Sequence, residues 1–405
     1  MKKFNLFYLS CIFFMIGHVH AVDELPEIEV VGTSLLPGLE IEKEKLPYEV
    51  KSFQSKDIGN ETSLGITDVL NQNVPGVFTN EVQGSPYQGD VTYRGFRASS
   101  ILGAAQGLSV YIDGIRINEP FGDVVNWDMI PEFALSNISL IPGSNPMYGL
   151  NTLGGALSLT TKSGLSHPGK VARVSLGSFS RKKLDVSVAG KFSGGTGGDY
   201  FLSASHFDES GWRDHSDGKI SNIFGKANKN TDFGSVGIMA YFGDSDLLGN
   251  GLLPSTNYGL EDDVGEIQEP GLYEVKRQAV YSHPDQTKNE VGLISLNFQN
   301  YIDDDTQLNG LLYHRYGRQK RLGGDVEAEF ESDENEWEFE GEFNNSKTRQ
   351  HSSGLGLNFS KIISNHQITT GVTFDQSSVT YKATETEDCE VNSIRKVICD
   401  DDSET

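Results

Sequence analysis

The chain has 405 residues, with 57 acidic and 33 basic side chains and a formal charge of −24. That length suffices for two or more domains with buried cores. The acidic balance argues against nucleic-acid binding, because phosphates are neutralised by basic side chains. No apolar run of ~18 residues follows the N-terminal region, which excludes helical membrane spans. Membrane β-strands are compatible with this composition, since their alternation averages to a moderate hydropathy.

The N-terminus has the pattern of a secretory signal peptide. Lys2 and Lys3 precede an apolar run from Phe4 to Ile16, and "VHA" at 19–21 forms a small-residue cleavage site. We expect residues 1–21 to be removed, so that the mature chain begins at Val22. A membrane anchor is the alternative, but the apolar run is too short to span a bilayer.

Three cysteines are present, and Cys11 would leave with the signal peptide. Cys389 and Cys399 are then an even pair in an exported protein, which favours a disulfide that closes a short loop. Two unpaired thiols are the alternative.

Residues 22 to about 165 have the pattern of a compact mixed α/β unit. "SLGITDVLNQNVPGV" predicts a short helix, with Thr62 or Ser63 as N-cap and Pro75-Gly76 as its end. "LSVYIDGIRINEPF" predicts a hairpin around Asp113-Gly114, because a type I′ turn needs positive φ at both central positions. "ISLIPG" and "GALSLTTKSG" predict strands, and "NWDMIPEFALSNI" allows a helical turn near Pro131.

The stretch "MYGLNTLGGALSLTTKSG" has the glycine spacing of a phosphate-binding loop at Gly149 and Gly154. Such a loop needs Lys and then Ser or Thr directly after the second glycine, and here Gly155 and Ala156 stand there. A nucleotide site is therefore rejected. We expect Gly149, Gly154 and Gly155 to let the backbone turn and pack closely.

From about residue 166 the pattern changes to repeated alternating strands. The predicted strands lie near 171–177, 184–191, 199–207, 219–228, 234–242, 291–299, 307–316, 351–361 and 366–376. Long connections, near 243–290, 317–350 and in the tail 377–405, all fall at one end if the first strand leaves the periplasm, as in an outer-membrane barrel. Nine strands are an odd number and "CDDDSET" is no final strand, so we expect these residues to be the first part of a longer barrel.

Five motifs in order carry a family resemblance: "PEIEVVGTS", "VLNQNVPGV", "DVTYRGF", "LSVYIDGIRINE" and "IPGSNPMYGLNTLGGALSLTTKSG". With the signal peptide before them and the strands after them, the chain resembles the TonB-dependent outer-membrane receptors along its whole length. One departure is "SLIPGSNPMYG", where many members have an acidic-to-basic stretch and then Gly-Pro. That departure leaves the plug assignment intact and gives no help in choosing a substrate.

The resemblance implies a membrane all-β fold, in which a 22-stranded antiparallel outer-membrane β-barrel encloses an N-terminal mixed α/β plug. By that resemblance, residues 22–47 hold the TonB box and linker, 48–165 the plug, and 166–405 the first part of the barrel. Its partners would be TonB in the inner-membrane energy-coupling complex, the lipids of the outer membrane, and a small-molecule ligand such as a metal chelate.

Carried over onto this chain, the TonB box consists of Glu27, Ile28, Glu29, Val30, Val31 and Gly32. "IEVV" has high β-propensity beside a glycine, so it can add as an edge strand to a partner sheet in the periplasm. An ordinary first strand of the plug is the alternative. Only five residues, 22–26, precede the box in the mature chain, so we expect no additional transcription-signalling domain.

The resemblance also assigns structural roles in the plug to a set of turn and glycine positions: Arg94, Gly95, Asp113, Gly114, Gly143, Tyr148, Gly149, Gly154 and Gly155. An arginine at position 94 would contact carboxylates of the barrel wall, or else be exposed. Ligand contacts are expected from loops 80–88, 97–106 and 119–127. In these loops aromatic and arginine side chains suit a binding surface, namely Tyr87, Arg97, Phe121 and Trp127.

No His-Glu-x-x-His, Cys-x-x-Cys or Gly-x-Ser-x-Gly motif occurs, so we predict neither an enzyme nor a bound cofactor or metal. Asp113-Gly114 is a turn rather than a catalytic acid, and "DDD" at 303–305 is a turn as well. The run Asp325–Phe343 holds ten carboxylates. We interpret it as an outer loop, either kept solvated by its charge or presented to cations.

The leading function is energised import of a scarce ligand across the outer membrane. Siderophore-iron, haem, cobalamin, nickel complexes and oligosaccharides all remain open as ligands. A passive porin or secretion pore is one alternative, and a surface binding protein without transport is another.

Overall fold

The computed structural model describes residues 30–32, 40–42, 50–54, 65–81, 85–144, 148–192, 197–249, 280, 282–331, 336–391 and 396–399. The predicted signal peptide, Glu27, Ile28 and Glu29 of the predicted TonB box, and the proposed helix caps Thr62 and Ser63 lie outside these residues. In the part of the chain that is described, no helix is both long and apolar enough to cross a membrane.

The described residues of the N-terminal part form three small sheets and one α-helix. Its elements are β1 (Val30–Gly32), β2 (Glu40–Glu42), β3 (Lys51–Gln54), α1 (Ile66–Asn73), β4 (Val77–Asn80), β5 (Asp90–Tyr93), β6 (Phe96–Ser99), β7 (Leu108–Ile112), β8 (Ile115–Arg116), β9 (Leu135–Pro142) and β10 (Gly155–Thr161). The largest sheet has the order β3-β9-β10-β7-β8. It is mixed, because β10 pairs parallel with β7 and antiparallel with β9. We call residues 50–161 the plug.

The plug has an apolar core between this sheet, α1 and the three-stranded sheet β4-β5-β6. Ile66 and Leu70, four residues apart on α1, are both buried, as the 3.6-residue period of a helix requires for one face. They pack in one cluster with Val110, Ile138 and Leu159 of the mixed sheet. Burial of such side chains is the main stabilising contribution to a unit of this size.

Helix α1 begins later than the sequence predicts. Its N-cap is Gly65, which has no side-chain cap, so the prediction of Thr62 or Ser63 was wrong. Instead, the Ile66 N–H donates to Oε1 of Glu132 at 2.6 Å. A carboxylate at a helix N-terminus satisfies a free backbone donor and complements the helix dipole. Glu132 begins a 3₁₀ turn, Glu132–Ala134, just after Pro131, which confirms the predicted helical turn.

The hairpin β7–β8 is confirmed. Asp113 and Gly114 both have positive φ, 45° and 86°, as a type I′ turn requires. The predicted strands at "ISLIPG" and "GALSLTTKSG" are β9 and β10.

The C-terminal part is a ten-stranded antiparallel meander in which each strand pairs with the next. Its strands are β11 (Gly169–Leu176), β12 (Lys182–Lys191), β13 (Gly198–Glu209), β14 (Gly218–Thr231), β15 (Gly234–Leu248), β16 (Asp285–Asp303), β17 (Thr306–Glu331), β18 (Glu336–Ile363), β19 (His366–Val391) and β20 (Val397–Ile398). We call β11–β19 the wall. All nine predicted strands are present.

The predicted strand ends were wrong where the wall is longest. β17, β18 and β19 contain 26, 28 and 26 residues, so most of the expected loop 317–350 is strand. In the acidic run Asp325–Phe343, residues 325–331 and 336–343 are likewise paired strand, with Asp325 opposite Glu342, rather than an outer loop. Backbone hydrogen bonds hold these segments as strands although charged residues occupy both faces. The sequence therefore shows no alternation of apolar residues there.

Of the three predicted long connections, the one near 243–290 is present between β15 and β16. The predicted loop in the tail 377–405 was wrong as far as Val391, because β19 continues to that residue. The turns at one end of the wall are short, at 232–233, 304–305 and 364–365, and the middle one is the expected aspartate turn. The connection between β15 and β16, at the opposite end, covers 249–284. We call the end with the long connection the outer end.

Wall strands are apolar on the side that faces away from the plug. Leu202, Ile223, Phe242, Val372 and Phe374 are each at least half exposed. The alternate positions face the plug and include buried polar residues, among them Asp185, Asp199, Ser245, Asn289 and Arg315. This is the reverse of the plug's own arrangement, and it is typical of a membrane barrel.

Candidate functional site at the plug–wall interface

The plug meets the wall through buried polar side chains, and the central one is Glu119 in the loop after β8. Its Oε1 accepts from the Arg315 guanidinium of β17, and its Oε2 accepts from Gln350 Nε2 of β18 at 2.5 Å. The plug residue Asn126 donates to the same carboxylate at 3.0 Å. The side chains of Arg315 and Glu119 are only 8% and 5% exposed. Burial raises the pKa of Glu119, while the Arg315 cation opposes that rise.

Asp128 forms a second plug–wall contact nearby. Its Oδ2 accepts from Ser245 Oγ at 2.5 Å and from Asn289 Nδ2 at 2.8 Å. Burial raises the pKa of this carboxyl, although both hydrogen bonds oppose the rise. Its Oδ1 is buried without a hydrogen-bond partner among the described residues. A buried carboxylate held only by neutral donors is a costly arrangement that favours the protonated form.

Gln319 connects these two contacts into one network. Its Nε2 donates to Asn126 Oδ1 at 3.1 Å and to Asn289 Oδ1 at 2.9 Å. We call the set the interface network: Glu119, Asn126 and Asp128 of the plug with Ser245, Asn289, Arg315, Gln319 and Gln350 of the wall. The plug is thus held by hydrogen bonds that water can replace one by one.

The turn residue Asp113 contacts the wall nearer the end that has the short turns, opposite the outer end. Lys226 Nζ of β14 lies 2.8 Å from Asp113 Oδ2, and the Thr161 N–H donates to Oδ1 at 2.9 Å. Burial alone would raise the pKa of Asp113, but the Lys226 charge and these hydrogen bonds hold it below its usual value. The predicted turn therefore also anchors the plug, and the Lys226 charge favours the ionised form of Asp113.

An apolar contact lies between the polar ones. Ile115, Met129 and Ala134 of the plug pack in one cluster with Phe201, Phe224 and Met239 of the wall. This contact stabilises the interface. Exposing its apolar side chains to water would lose that stabilisation.

Two cavities open beside the plug toward the outer end. One, of about 610 Å³, is lined by Gln88 of the plug together with wall residues that include Asp285, Arg321, Asn344, Tyr381 and Glu385. The other, of about 380 Å³, is lined by Glu81, Tyr87, Arg181, Glu209 and Trp212, among others. Volumes of this order suit a small-molecule ligand, and aromatic and charged linings give it orientation.

The four residues predicted to contact ligand have different surroundings. Tyr87 lines the smaller cavity, its hydroxyl donates to Glu209 Oε2 at 3.4 Å, and its ring lies 4.7 Å from that of Phe207. Phe121 stacks on Tyr381 at 4.8 Å between ring centroids. Arg97 is exposed and lies 3.6 Å from Asp90.

The fourth residue, Trp127, is only 3% exposed and belongs to the plug core. Its Nε1 donates to the Ala98 carbonyl at 3.0 Å, so the expectation of an apical ligand contact is wrong. A 3₁₀ turn, Trp127–Met129, turns its ring inward, which residue type alone does not reveal.

Arg94 and Gly95 form the turn between β5 and β6, with φ of 51° and 87°. Arg94 is exposed, and its guanidinium lies 5.0 Å from the Tyr93 ring centroid. Arg94 was expected either to contact wall carboxylates or to be exposed, and its observed position is the exposed one. The expected pair of a plug arginine with a wall carboxylate is reversed in the structure, where the plug carboxylate Glu119 pairs with the wall arginine Arg315.

The glycine-rich stretch has the close packing that the sequence suggests. A Cβ at Gly154 would lie 2.5 Å from Phe96 side-chain atoms, and one at Gly155 would lie 2.6 Å from the Ile141 carbonyl oxygen. Tyr148 is buried, and its carbonyl accepts from the Tyr111 hydroxyl. Gly143 and Gly149 both have positive φ, 88° and 77°.

Two further predicted sites lie away from the interface. Among the residues that the structure describes, Val30–Gly32 of the predicted TonB box pairs with Glu40–Glu42 alone, as a two-stranded sheet separate from the plug sheets. At the outer end, Cys389 and Cys399 are joined by a disulfide, with Cα atoms 4.5 Å apart.

Comparisons with known proteins agree with this architecture. Residues 42–156 match the family model described as TonB-dependent Receptor Plug Domain. The chain is 28% identical over 134 residues to the ferric aerobactin receptor of Klebsiella pneumoniae, a match that covers 32% of this chain and 16% of that receptor.

Solved structures resemble both the plug and the wall. The ferric-catecholate import receptor Fiu from E. coli K12 superposes with a TM-score of 0.66 at 18% identity, over 82% of this chain and 49% of that one. BauA, the ferric preacinetobactin receptor from Acinetobacter baumannii, superposes with a TM-score of 0.68 at 14% identity, over 88% and 50%. The chain thus spans about half the length of these structures.

These matches confirm the predicted resemblance to the TonB-dependent receptors. The chain carries a plug domain of that family, followed by antiparallel strands of the family's barrel. The matched relatives are receptors by name and not enzymes.

Sequence reasoning missed the interface network, although all three of its plug residues lie in "NEPFGDVVNWD", 118–128. A local signal existed, because Arg315 and Gln319 are four residues apart in a strand and therefore share one face. The sequence does not reveal which residue pairs with Glu119, because Glu119 and Arg315 are 196 positions apart.

Proposed function

We propose that this protein is a TonB-dependent outer-membrane receptor that imports a ferric chelate into the periplasm. The observation that carries the proposal is the interface network, which holds a compact plug against strands whose other face is apolar. Such a plug blocks passage at rest, and a pull on its N-terminal segment exchanges a few hydrogen bonds for water rather than exposing a large apolar core.

The TonB box, Glu27–Gly32, is the proposed point of attachment for TonB. Support comes from Val30–Gly32, whose one partner among the described strands is a three-residue strand outside the plug sheets. A strand so lightly held can transfer its main-chain hydrogen bonds to a partner sheet. In this proposal the box faces the periplasm, residues 48–165 form the plug, residues 166–405 begin the barrel, and the outer end faces the medium.

The substrate class is proposed from the relatives, which are receptors for ferric aerobactin, a ferric catecholate and ferric preacinetobactin by name. The two outer cavities supply a physical basis. Arg181, Arg321, Tyr87 and Tyr381 line them, and guanidinium and aromatic groups suit an anionic, aromatic or hydroxamate-bearing chelate.

Uptake of radiolabelled iron bound to aerobactin or to a catecholate siderophore tests this function. We expect Val30→Pro to abolish energy-dependent uptake while leaving cell-surface binding unchanged, because proline removes a main-chain donor and cannot pair in a strand. Val30→Thr keeps β-propensity and is the matched control. Uptake that survives both Val30→Pro and deletion of residues 27–32 would refute energised import.

A passive pore is the alternative that the same cells can test. It requires conductance in planar bilayers without a proton gradient. We expect the wild-type protein to remain closed in such bilayers, because the plug is in place.

A further inference from the structure

The outward face of the wall carries an unusual alignment of lysines near its outer end. Lys288 of β16 stands opposite Lys320 of β17, which stands opposite Lys347 of β18, which stands opposite Lys382 of β19. We call these four residues the lysine row. Directly below it, Arg318 stands opposite Arg349.

These side chains point away from the plug. On β17 the positions 315 and 319 contact the plug, so the alternate positions 318 and 320 lie on the other face. On β18 the same holds, because Gln350 contacts the plug, which places 347 and 349 outward. Lys288, Lys320, Arg349 and Lys382 are exposed.

Carboxylates balance only part of this charge. Lys288 lies 3.1 Å from Asp246, and Arg318 lies 3.4 Å from Glu290. Among the described residues, no ion pair with a carboxylate involves Lys320, Lys347, Arg349 or Lys382. Like charges directly opposite on neighbouring strands repel. Anions from outside the protein would therefore stabilise the lysine row.

The position of the lysine row relative to the exposed apolar side chains of the wall indicates the source of those anions. Ile238, Leu296, Leu312, Leu355 and Phe374 form one outward row across five strands, and each is between 45% and 65% exposed. Tyr316 and His351 lie above this apolar row with rings 5.1 Å apart, where aromatic residues border a membrane.

The lysine row lies eight residues beyond the apolar row along β17. That separation is about 27 Å along a strand at ~3.4 Å per residue. A strand tilt of roughly 40° reduces it to about 20 Å along the bilayer normal. Measured from a bilayer midplane placed at the apolar row, this height is beyond the hydrocarbon half-thickness of about 15 Å, at the level of the headgroups.

The geometry points to a binding surface for the phosphate groups of an anionic lipid in the outer leaflet. Neighbouring strands are ~4.8 Å apart, so the row offers several ammonium groups to one headgroup that carries more than one phosphate. Arg349 adds a fork-shaped donor for phosphate oxygens. The acyl chains of the same lipid would lie on the exposed apolar rows below. This inference rests on the proposed membrane insertion.

Lipid binding by the purified full-length protein in neutral detergent tests the inference, with diphosphorylated lipid A, phosphatidylcholine and inorganic phosphate as probes. The test variant combines Lys320→Gln, Lys347→Gln, Arg349→Gln and Lys382→Gln. The control variant removes the same charge from four exposed lysines at the other end of the wall: Lys170→Gln, Lys191→Gln, Lys229→Gln and Lys361→Gln.

We expect the test variant to bind lipid A at least tenfold more weakly than wild type, because each basic side chain near an anionic membrane surface contributes roughly fivefold. The control variant should stay within about twofold, and phosphatidylcholine binding should not change in either. Equal lipid A binding by both variants would overturn the inference. So would full displacement of lipid A by inorganic phosphate, which would indicate a site for free anions.

Strand content from circular dichroism verifies that the test variant folds, and the single variant Lys347→Gln gives a second measurement with a smaller expected loss. Because lipid binding involves no transport, the outcome is separate from that of the uptake experiment. Retained lipid A selectivity with no uptake would refute the proposed import alone, and the reverse result would refute the lipid site alone.

Discussion

The plug and the wall use the same residue types in opposite arrangements. In the plug, apolar side chains such as Val110, Ile138 and Leu159 are fully buried, and polar residues lie outside. In the wall, Leu312 and Leu355 stand opposite each other on the outer face, about half exposed, while Asn289 and Arg315 are buried on the inner face. The difference is the one expected if the outer face of the wall contacts an apolar medium while its inner face meets a largely polar plug surface.

The interface between the two regions combines polar contacts with one apolar cluster, and the polar contacts have distinct energetics. A buried ion pair such as Glu119–Arg315 contributes little relative to a well-packed apolar pair, yet removing one partner is strongly destabilising. Under the proposed import function, this combination suits a plug that is firmly closed and still removable.

The largest expected effect comes from breaking that pair. Arg315→Met leaves the Glu119 carboxylate buried without its cation, which should weaken plug seating by about 3–5 kcal/mol. Hydrogen exchange of the amides at 118–128 and ion conductance in planar bilayers should both increase.

Two variants define the meaning of this result. Glu119→Gln with Arg315→Met should recover much of the loss, because no charge remains buried. Arg318→Met, on the same strand but facing outward, should change seating by less than about 1 kcal/mol. Equal effects at positions 315 and 318 would contradict a special role for the interface network.

The next effect tests the outward face. Leu355→Arg places a charge in the apolar row and should destabilise the protein in lipid vesicles by about 2–4 kcal/mol. Asn345→Arg, on the same face of β18 near the lysine row, should cost about 0–1 kcal/mol. Guanidinium unfolding from vesicles measures both. Similar losses at the two positions would argue against a bilayer boundary between them.

Sequence patterns predicted well those parts of the fold whose signal is local. The β7–β8 hairpin follows from Asp113-Gly114, and the nine wall strands follow from alternation of apolar and polar residues. Alternation ends where the outer halves of β17, β18 and β19 carry charges on both faces, so the pattern there resembles that of a loop.

Long-range contacts were beyond such patterns. Nothing local distinguishes Asp128, which is buried against the wall, from Asp123, which pairs with the nearby Arg116 of the plug. Trp127 illustrates the same limit, because aromatic residues are frequent both in binding surfaces and in cores, and only the 3₁₀ turn decides between them.

The smallest expected effect concerns the pH dependence of Asp128. Burial raises the pKa of this carboxyl in the folded protein. The folded state therefore binds more protons than the unfolded state from the ordinary carboxyl pKa near 4 up to the raised value. Across that window, the free energy of unfolding falls as pH rises.

Asp128→Asn removes the titration while its amide oxygen still accepts from Ser245 and Asn289, so plug stability at neutral pH should change by no more than about 1.5 kcal/mol. The informative quantity is the slope. The stability of the Asp128→Asn variant minus that of the wild-type protein should increase with pH through the window and then level off. Because Asp128 also raises the pKa of Glu119, the measurement should be repeated with Glu119→Gln in both proteins. A difference that is flat with pH in that background would show that Asp128 is not buried as a carboxyl with a raised pKa, and that its side of the interface is hydrated.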